Sequence, residues 1–251
     1  MQDRYAGDVG DYGKYALLRA LCPDGDLAVV WCHAPDENHN ADGRHVAYLD
    51  DPEMSALEPD LHAAMRRVVR DGPRTLARVE TSGALPPTTT FFHDTILPPL
   101  GSGHAVRRWR DDWLKRALAA TAGASVVFLD PDTGIVPPSV RKKMGSRETG
   151  KYIFPNEIAA FAERNQSIVV YQHFNRSADG PEQIKQRHEE LMKIDPRAER
   201  VVPMVFHRGT PRKFWILARN ALAANLDARL RTFLDRGWSN HFDDPRKTIP
   251  V

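Results

Sequence analysis

Ser125-Val126-Val127-Phe128-Leu129-Asp130-Pro131-Asp132-Thr133-Gly134 is the stretch around which the chain is organised. Its unbroken apolar run predicts a strand buried on both faces, and the Asp-Pro-Asp-Thr-Gly that follows ends it abruptly. Open α/β sheets hold their ligands at such carboxyl ends. An ordinary turn built from Asp, Pro and Gly has the same composition, so the neighbouring strands decide between the two.

Three further segments end in the same manner. Leu27-Ala28-Val29-Val30-Trp31-Cys32 reads as a buried strand that runs into His33-Ala34-Pro35-Asp36-Glu37-Asn38-His39-Asn40-Ala41-Asp42-Gly43-Arg44-His45, a loop dense in acids, histidines and amides. Thr89-Thr90-Phe91-Phe92 closes on His93-Asp94, and Ser167-Ile168-Val169-Val170-Tyr171 closes on Gln172-His173-Phe174-Asn175-Arg176. Between them lie helical patterns: a short helix over Lys14–Leu21 with Asp11 as its N-cap, one long helix over 53–79 from the spacing of Leu57, Leu61, Met65 and Val69, and others over Gly103–Ala122, Pro155–Arg164, Glu182–Ile194 and Asn220–Arg236. Trp109 and Trp113 read as core residues of the third of these. Arg200–Phe206 and Lys213–Ala218 flank a tight turn through Gly209 and Pro211, which predicts that the final strand pairs antiparallel at that edge. Strands alternating with helices predict one α/β domain over 1–251, a Rossmann-like, mostly parallel sheet with an antiparallel edge strand and helices on both faces.

The composition suits a soluble protein of that kind: 251 residues, 41% hydrophobic, 27% charged and a formal charge of +2. The basic residues are bunched at Arg107-Arg108-Arg110, Arg141-Lys142-Lys143 and Arg208-Arg212-Lys213, which predicts local positive patches on a near-neutral whole. Cys22 and Cys32 make no disulfide framework or metal-site spacing and read as reduced thiols. No run of eighteen apolar residues occurs, so the expectation is a cytoplasmic protein without a membrane span.

Strand ends that share one sheet edge face a common crevice. Three chemistries fit the polar groups gathered there. Asp36, Asp130 and Asp132 could ligate Mg²⁺ or Mn²⁺ for hydrolysis, with His173 as general base. The same acids could accept hydrogen bonds from a nucleoside, with Asp130 and Pro131 gripping a base amino group. The third is a binding pocket without catalysis. The phosphate-binding Walker loop, Gly-x-Gly-x-x-Gly, Gly-x-Ser-x-Gly and His-Glu-x-x-His are all absent.

A family resemblance favours the second. Ala6-Gly7-Asp8-x-x-Asp11-x-x-Lys14-Tyr15 resembles the N-terminal segment of the bacterial large-subunit ribosomal RNA adenine-N6 methyltransferases, a Rossmann-like family dependent on S-adenosylmethionine. Trp31-Cys32-His33-Ala34 sits where that family has Asp-Thr-His-Ala, and Phe128-Leu129-Asp130-Pro131-Asp132 where it has its catalytic Asp-Pro-Pro-Tyr. Arg208-Gly209-Thr210 with Lys213-Phe214-Trp215-Ile216-Leu217 is similar to its closing turn and strand. The resemblance implies a nucleic-acid-modifying enzyme with Asp130, Pro131, Asp132 and His173 at the reaction centre. It implies S-adenosylmethionine at His33, Asp36, Glu37, Asp42 and Asp94, and nucleic acid at Asp8, Asp11, Lys14, Tyr15, Arg176, Arg208 and Arg212. The chain departs from the family where Pro35-Asp36-Glu37-Asn38 replaces a glycine-rich turn, and where Asp132 and Thr133 replace a proline and an aromatic residue.

Overall fold

The computed structural model describes residues 1–37, 43–97, 103–137, 147–174 and 179–245. Asp42 and Arg176 lie outside them. Eight strands are present among the described residues: β1 Leu27–Val30, β2 Thr90–Phe92, β3 Val126–Leu129, β4 Gly134–Ile135, β5 Tyr152–Ile153, β6 Ser167–His173, β7 Arg200–Phe206 and β8 Arg212–Ala218. Six of them form one sheet in the order β2-β1-β3-β6-β8-β7, while β4 and β5 pair as a small parallel ribbon.

Strands β2, β1, β3 and β6 run parallel, with Val29 opposite Phe91 and Phe128, and Phe128 opposite Val169. Strand β8 runs against both β6 and β7, so the reversal expected at this end of the sheet is there and the reversed strand lies second from the edge. Pro203 is tolerated in β7 because an edge strand leaves one row of amides unpaired.

Side-chain alternation along these strands divides the core in two. Val29, Phe128, Val169, Phe214 and Ile216 face one layer, packed under helices α1 Val9–Leu21, α3 Pro59–Arg70, α4 Leu76–Thr81 and α8 Asn220–Asp235. Val30, Val127, Leu129, Val170 and Trp215 face the other, covered by α5 Gly103–Ala120, α6 Pro155–Glu163 and α7 Gly180–Ile194. Trp113 is fully buried in that second layer and Trp109 packs against it, as their spacing predicts.

Two helices differ from the sequence reading. The long helix expected over 53–79 is three, α2 Pro52–Leu57, α3 and α4, because Glu58 is forced out of the helical region before Pro59 (φ −147, ψ 79) and Gly72-Pro73 ends the second. Helix α1 begins at Val9, five residues earlier than expected, and its N-cap is Asp8, whose side chain accepts from the Asp11 amide. Asp11 is thereby freed for the interior of the site. Both cysteines are buried and unpaired, and among the described residues no helix is long and apolar enough to cross a membrane.

Candidate functional site

The connection from β1 through α2, α3 and α4 adds β2 on one side, and α5 then carries the chain back to β3 on the other. Their carboxyl ends therefore diverge at a switch point, the position at which such sheets bind ligands. Strand β3 ends there on Asp130. The Asp130-Pro131-Asp132-Thr133-Gly134 turn is pinned onto the end of β6, since the His173 amide donates to Thr133 O at 3.0 Å. Gly134 has φ +127, and a Cβ on it would lie 2.8 Å from Gln172 Cα, so this turn requires glycine.

The start of α1 lies against that edge. Lys14, only 2% exposed, places its ammonium 2.7 Å from Asp11 Oδ1 and 2.8 Å from Asp130 Oδ2. Tyr15, Trp31, Phe128 and Tyr171 surround it, with ring centroids 5.0 to 6.0 Å from Nζ. Burial pulls the Lys14 pKa down, but Asp11 and Asp130 outweigh it and hold the ammonium above its usual range. Burial raises the Asp130 carboxyl against the pull of Lys14, and burial with the neighbouring Asp11 raises Asp8. Asp11 also accepts from the Gly7 amide at 2.9 Å and from the Tyr15 hydroxyl at 3.1 Å.

Over this cluster lies a cavity of about 330 Å³. Of the residues expected at the site, Asp8, Asp11, Lys14, Asp130, Pro131, Asp132, His173 and Arg212 line it. Asp132 Oδ2 accepts from Gln2 at 3.1 Å, whereas its Oδ1 is buried with no hydrogen-bond partner. Tyr171 and His173 stand two apart on one face of β6, with the hydroxyl 2.8 Å from Nε2. Arg212, the first residue of β8, is 7% exposed. Its Nε donates to Thr210 O, and its Nη1 is 3.8 Å from Asp8 Oδ1. The guanidinium lies against Gly10 of α1, where a Cβ would fall 1.4 Å from Nη1.

Met1, Tyr5, His45, Tyr171 and Thr210 also line the cavity and were not foreseen there. Alternation along β6 from His173 could have found Tyr171, and His45 closes the polar loop after β1. Nothing in the sequence marked Met1.

Other expected residues lie elsewhere. Tyr15 is fully buried beneath the cavity, and Lys14 is committed to its two acids as an internal counter-ion rather than left open to phosphate. Residues 1–5 cross the crevice between the ends of β1 and β3, with Met1 N 3.1 Å from both Cys32 O and Asp130 O. This segment engages most of the residues read as cofactor ligands. His33 faces Asp3 at 3.8 Å, Asp36 accepts from the Arg4 amide, and Glu37 pairs with Arg4 and with Lys151. Asp94 pairs with Arg116 at 2.7 Å. The described residues of this set do not fit S-adenosylmethionine in the manner the resemblance implies: Asp36, Glu37 and Asp94 are bonded to the protein's own cations and amides, and none of the three lines the cavity. Among the described residues no three His, Cys, Asp or Glu side chains gather to hold a metal ion. Asp36 stands apart from Asp130 and Asp132, outside the cavity they line.

Arg208, on the turn before β8, donates from Nε to His241 Nδ1 at 3.0 Å and lines a neighbouring groove. No protein-family model, curated protein or solved structure matches this chain.

Proposed function

We propose that the chain is a nucleic-acid-modifying enzyme on a methyltransferase-like sheet, and that one nucleotide of the strand enters the cavity at the ends of β3 and β6. One pairing supports the reading: the Asp132 carboxylate, whose Oδ1 has no hydrogen-bond partner, and the Arg212 guanidinium line the same cavity. A base amino group donates to the Asp132 carboxylate at the cavity wall. A phosphate accepts from Arg212, whose planar fork suits it. The cavity volume, about 330 Å³, falls within the range of small-molecule sites. His173, whose Nε2 lies 2.8 Å from the Tyr171 hydroxyl, stands on the same cavity wall.

The test is calorimetric titration with nucleoside monophosphates that carry or lack a base amino group. AMP and CMP bind and UMP binds more weakly; Arg212→Ala weakens all three by about 10-fold or more, as expected for a charge-assisted pair, and Asp132→Asn removes the preference for the amino bases. Incubation of RNA and DNA with methyl-labelled S-adenosylmethionine reads the transferred group directly. Absence of both nucleotide and strand binding would refute the proposal.

A further inference from the structure

On the far side of His45 from the cavity lies a second, shallower groove of about 300 Å³, lined by Val9, Tyr48, Asp51, Met54, Arg208 and others. His45 belongs to the walls of both. Its carbonyl accepts from the Val9 amide at 2.9 Å, which fixes it at the head of α1. At the same waist stands Gly209, with φ +68: a Cβ there would lie 3.3 Å from Val9 Cγ1 and 3.7 Å from both Arg212 Nη2 and the His45 ring. Consecutive residues thus serve the two depressions in parallel. Asp8 lines the first and Val9 the second; Thr210 and Arg212 line the first, and Arg208 and Gly209 the second.

The groove repeats the composition of the cavity with the emphasis changed. Val9, Ala47 and Met54 supply an apolar floor, and Tyr48 stacks on Tyr12 beneath it with centroids 5.0 Å apart. Arg208 is exposed and is oriented by His241, which accepts from its Nε. A ligand held by both must carry an anionic group at each cation, a flat apolar group for the floor, and a bend around His45. A nucleic acid strand with its bases splayed has that form, whereas a stacked duplex does not.

We propose that the groove beyond His45 is a second nucleotide subsite, which holds the neighbouring residue of the strand whose target nucleotide occupies the cavity. The proposal rests on the nucleotide reading of the cavity and extends it: the substrate is a single-stranded segment of at least two nucleotides. Arg208 holds the flanking phosphate and His45 parts the two bases.

Binding of a mononucleotide, the corresponding dinucleotide and trinucleotide, and a trinucleotide annealed within a duplex is measured by calorimetry on the wild-type protein, Arg208→Ala, Arg208→Lys and Ala47→Trp, which fills the groove from an exposed position. The wild type gains about 10-fold or more from mono- to dinucleotide, and the duplex is refused. Ala47→Trp keeps mononucleotide affinity and loses the dinucleotide gain; Arg208→Ala loses most of that gain, and Arg208→Lys restores part of it. A mononucleotide that binds with no gain on lengthening, or a gain that survives in Ala47→Trp and Arg208→Ala, overturns the subsite and leaves the cavity reading standing. A wild type that binds neither mononucleotide nor strand overturns both.

Discussion

Lys14 joins two carboxylates, one on its own helix and one 116 residues further along the chain. The ammonium neutralises a group of acids that could not otherwise be buried together. Removing one partner of such a cluster leaves charge uncompensated, so Lys14→Met is expected to cost roughly 3–5 kcal/mol of stability in urea unfolding. The adjacent Gly10 makes a contrasting case. Alanine is favoured over glycine inside a helix by about 1 kcal/mol, yet here its Cβ would occupy the seat of Arg212. Because the displaced atoms are the far end of a flexible side chain, Gly10→Ala is expected to unfold within about 1 kcal/mol of wild type and to lose nucleotide affinity as Arg212→Ala does. Equal affinities of Gly10→Ala and wild type would show that the guanidinium does not hold ligand. Asp130 was legible as a site residue from its place at a strand end, and Arg212 from the resemblance of the closing turn and strand. The role of Lys14 was not, because spacing shows its Asp11 neighbour and cannot show which distant strand end lies above them.

At the level of elements, the six strands of the main sheet were readable to within a residue or two, since apolar runs bounded by acids, Pro and Gly have few alternatives, whereas the two-residue strands β4 and β5 were not read at all. The course of the N-terminal residues was not. Segment 1–5 has no periodicity, yet its passage across the ends of β1 and β3 decides that His33, Asp36 and Glu37 face protein rather than the cavity. The long helix over 53–79 failed because its four-residue pattern was allowed to outrank Pro59 and Pro73. Gly134, by contrast, sits on the organising stretch itself. Gly134→Ala meets both a left-handed backbone and the Gln172 main chain, so it is expected to destabilise by roughly 1–3 kcal/mol and to weaken nucleotide binding together with stability, checked by thermal unfolding and titration.

Across the whole molecule, the two faces of the sheet do different work. The face beneath α1 carries the charged site, and the face beneath α7 buries Lys213, which is 1% exposed, lies 3.7 Å over the Phe174 ring and has Arg187 nearby. Burial, then the Arg187 charge, lowers its pKa to about 7. The folded state thus favours neutral Lys213 while the unfolded chain keeps it protonated up to about pH 10.4, so its contribution to stability is full above that value and is lost as pH falls towards 7. Wild-type stability is therefore expected to rise between pH 7 and 10 by up to about 1.4 kcal/mol per unit from this group, and Lys213→Met to remove that slope in denaturant titrations.

The hairpin of β7 and β8 carries Arg208 on its turn, residues 207–211, and Arg212 at the start of β8, whereas Asp11 and Asp130 of the cavity stand 119 residues apart. Short loops close in microseconds and distant pairings follow later, so the order of assembly is set by topology. The cationic wall is expected to form before the acidic floor. In stopped-flow refolding, Trp215→Phe in the hairpin should then slow folding, while Lys14→Met should chiefly speed unfolding. An intermediate on this route would present its arginines to polyanions before it had a site to select among them.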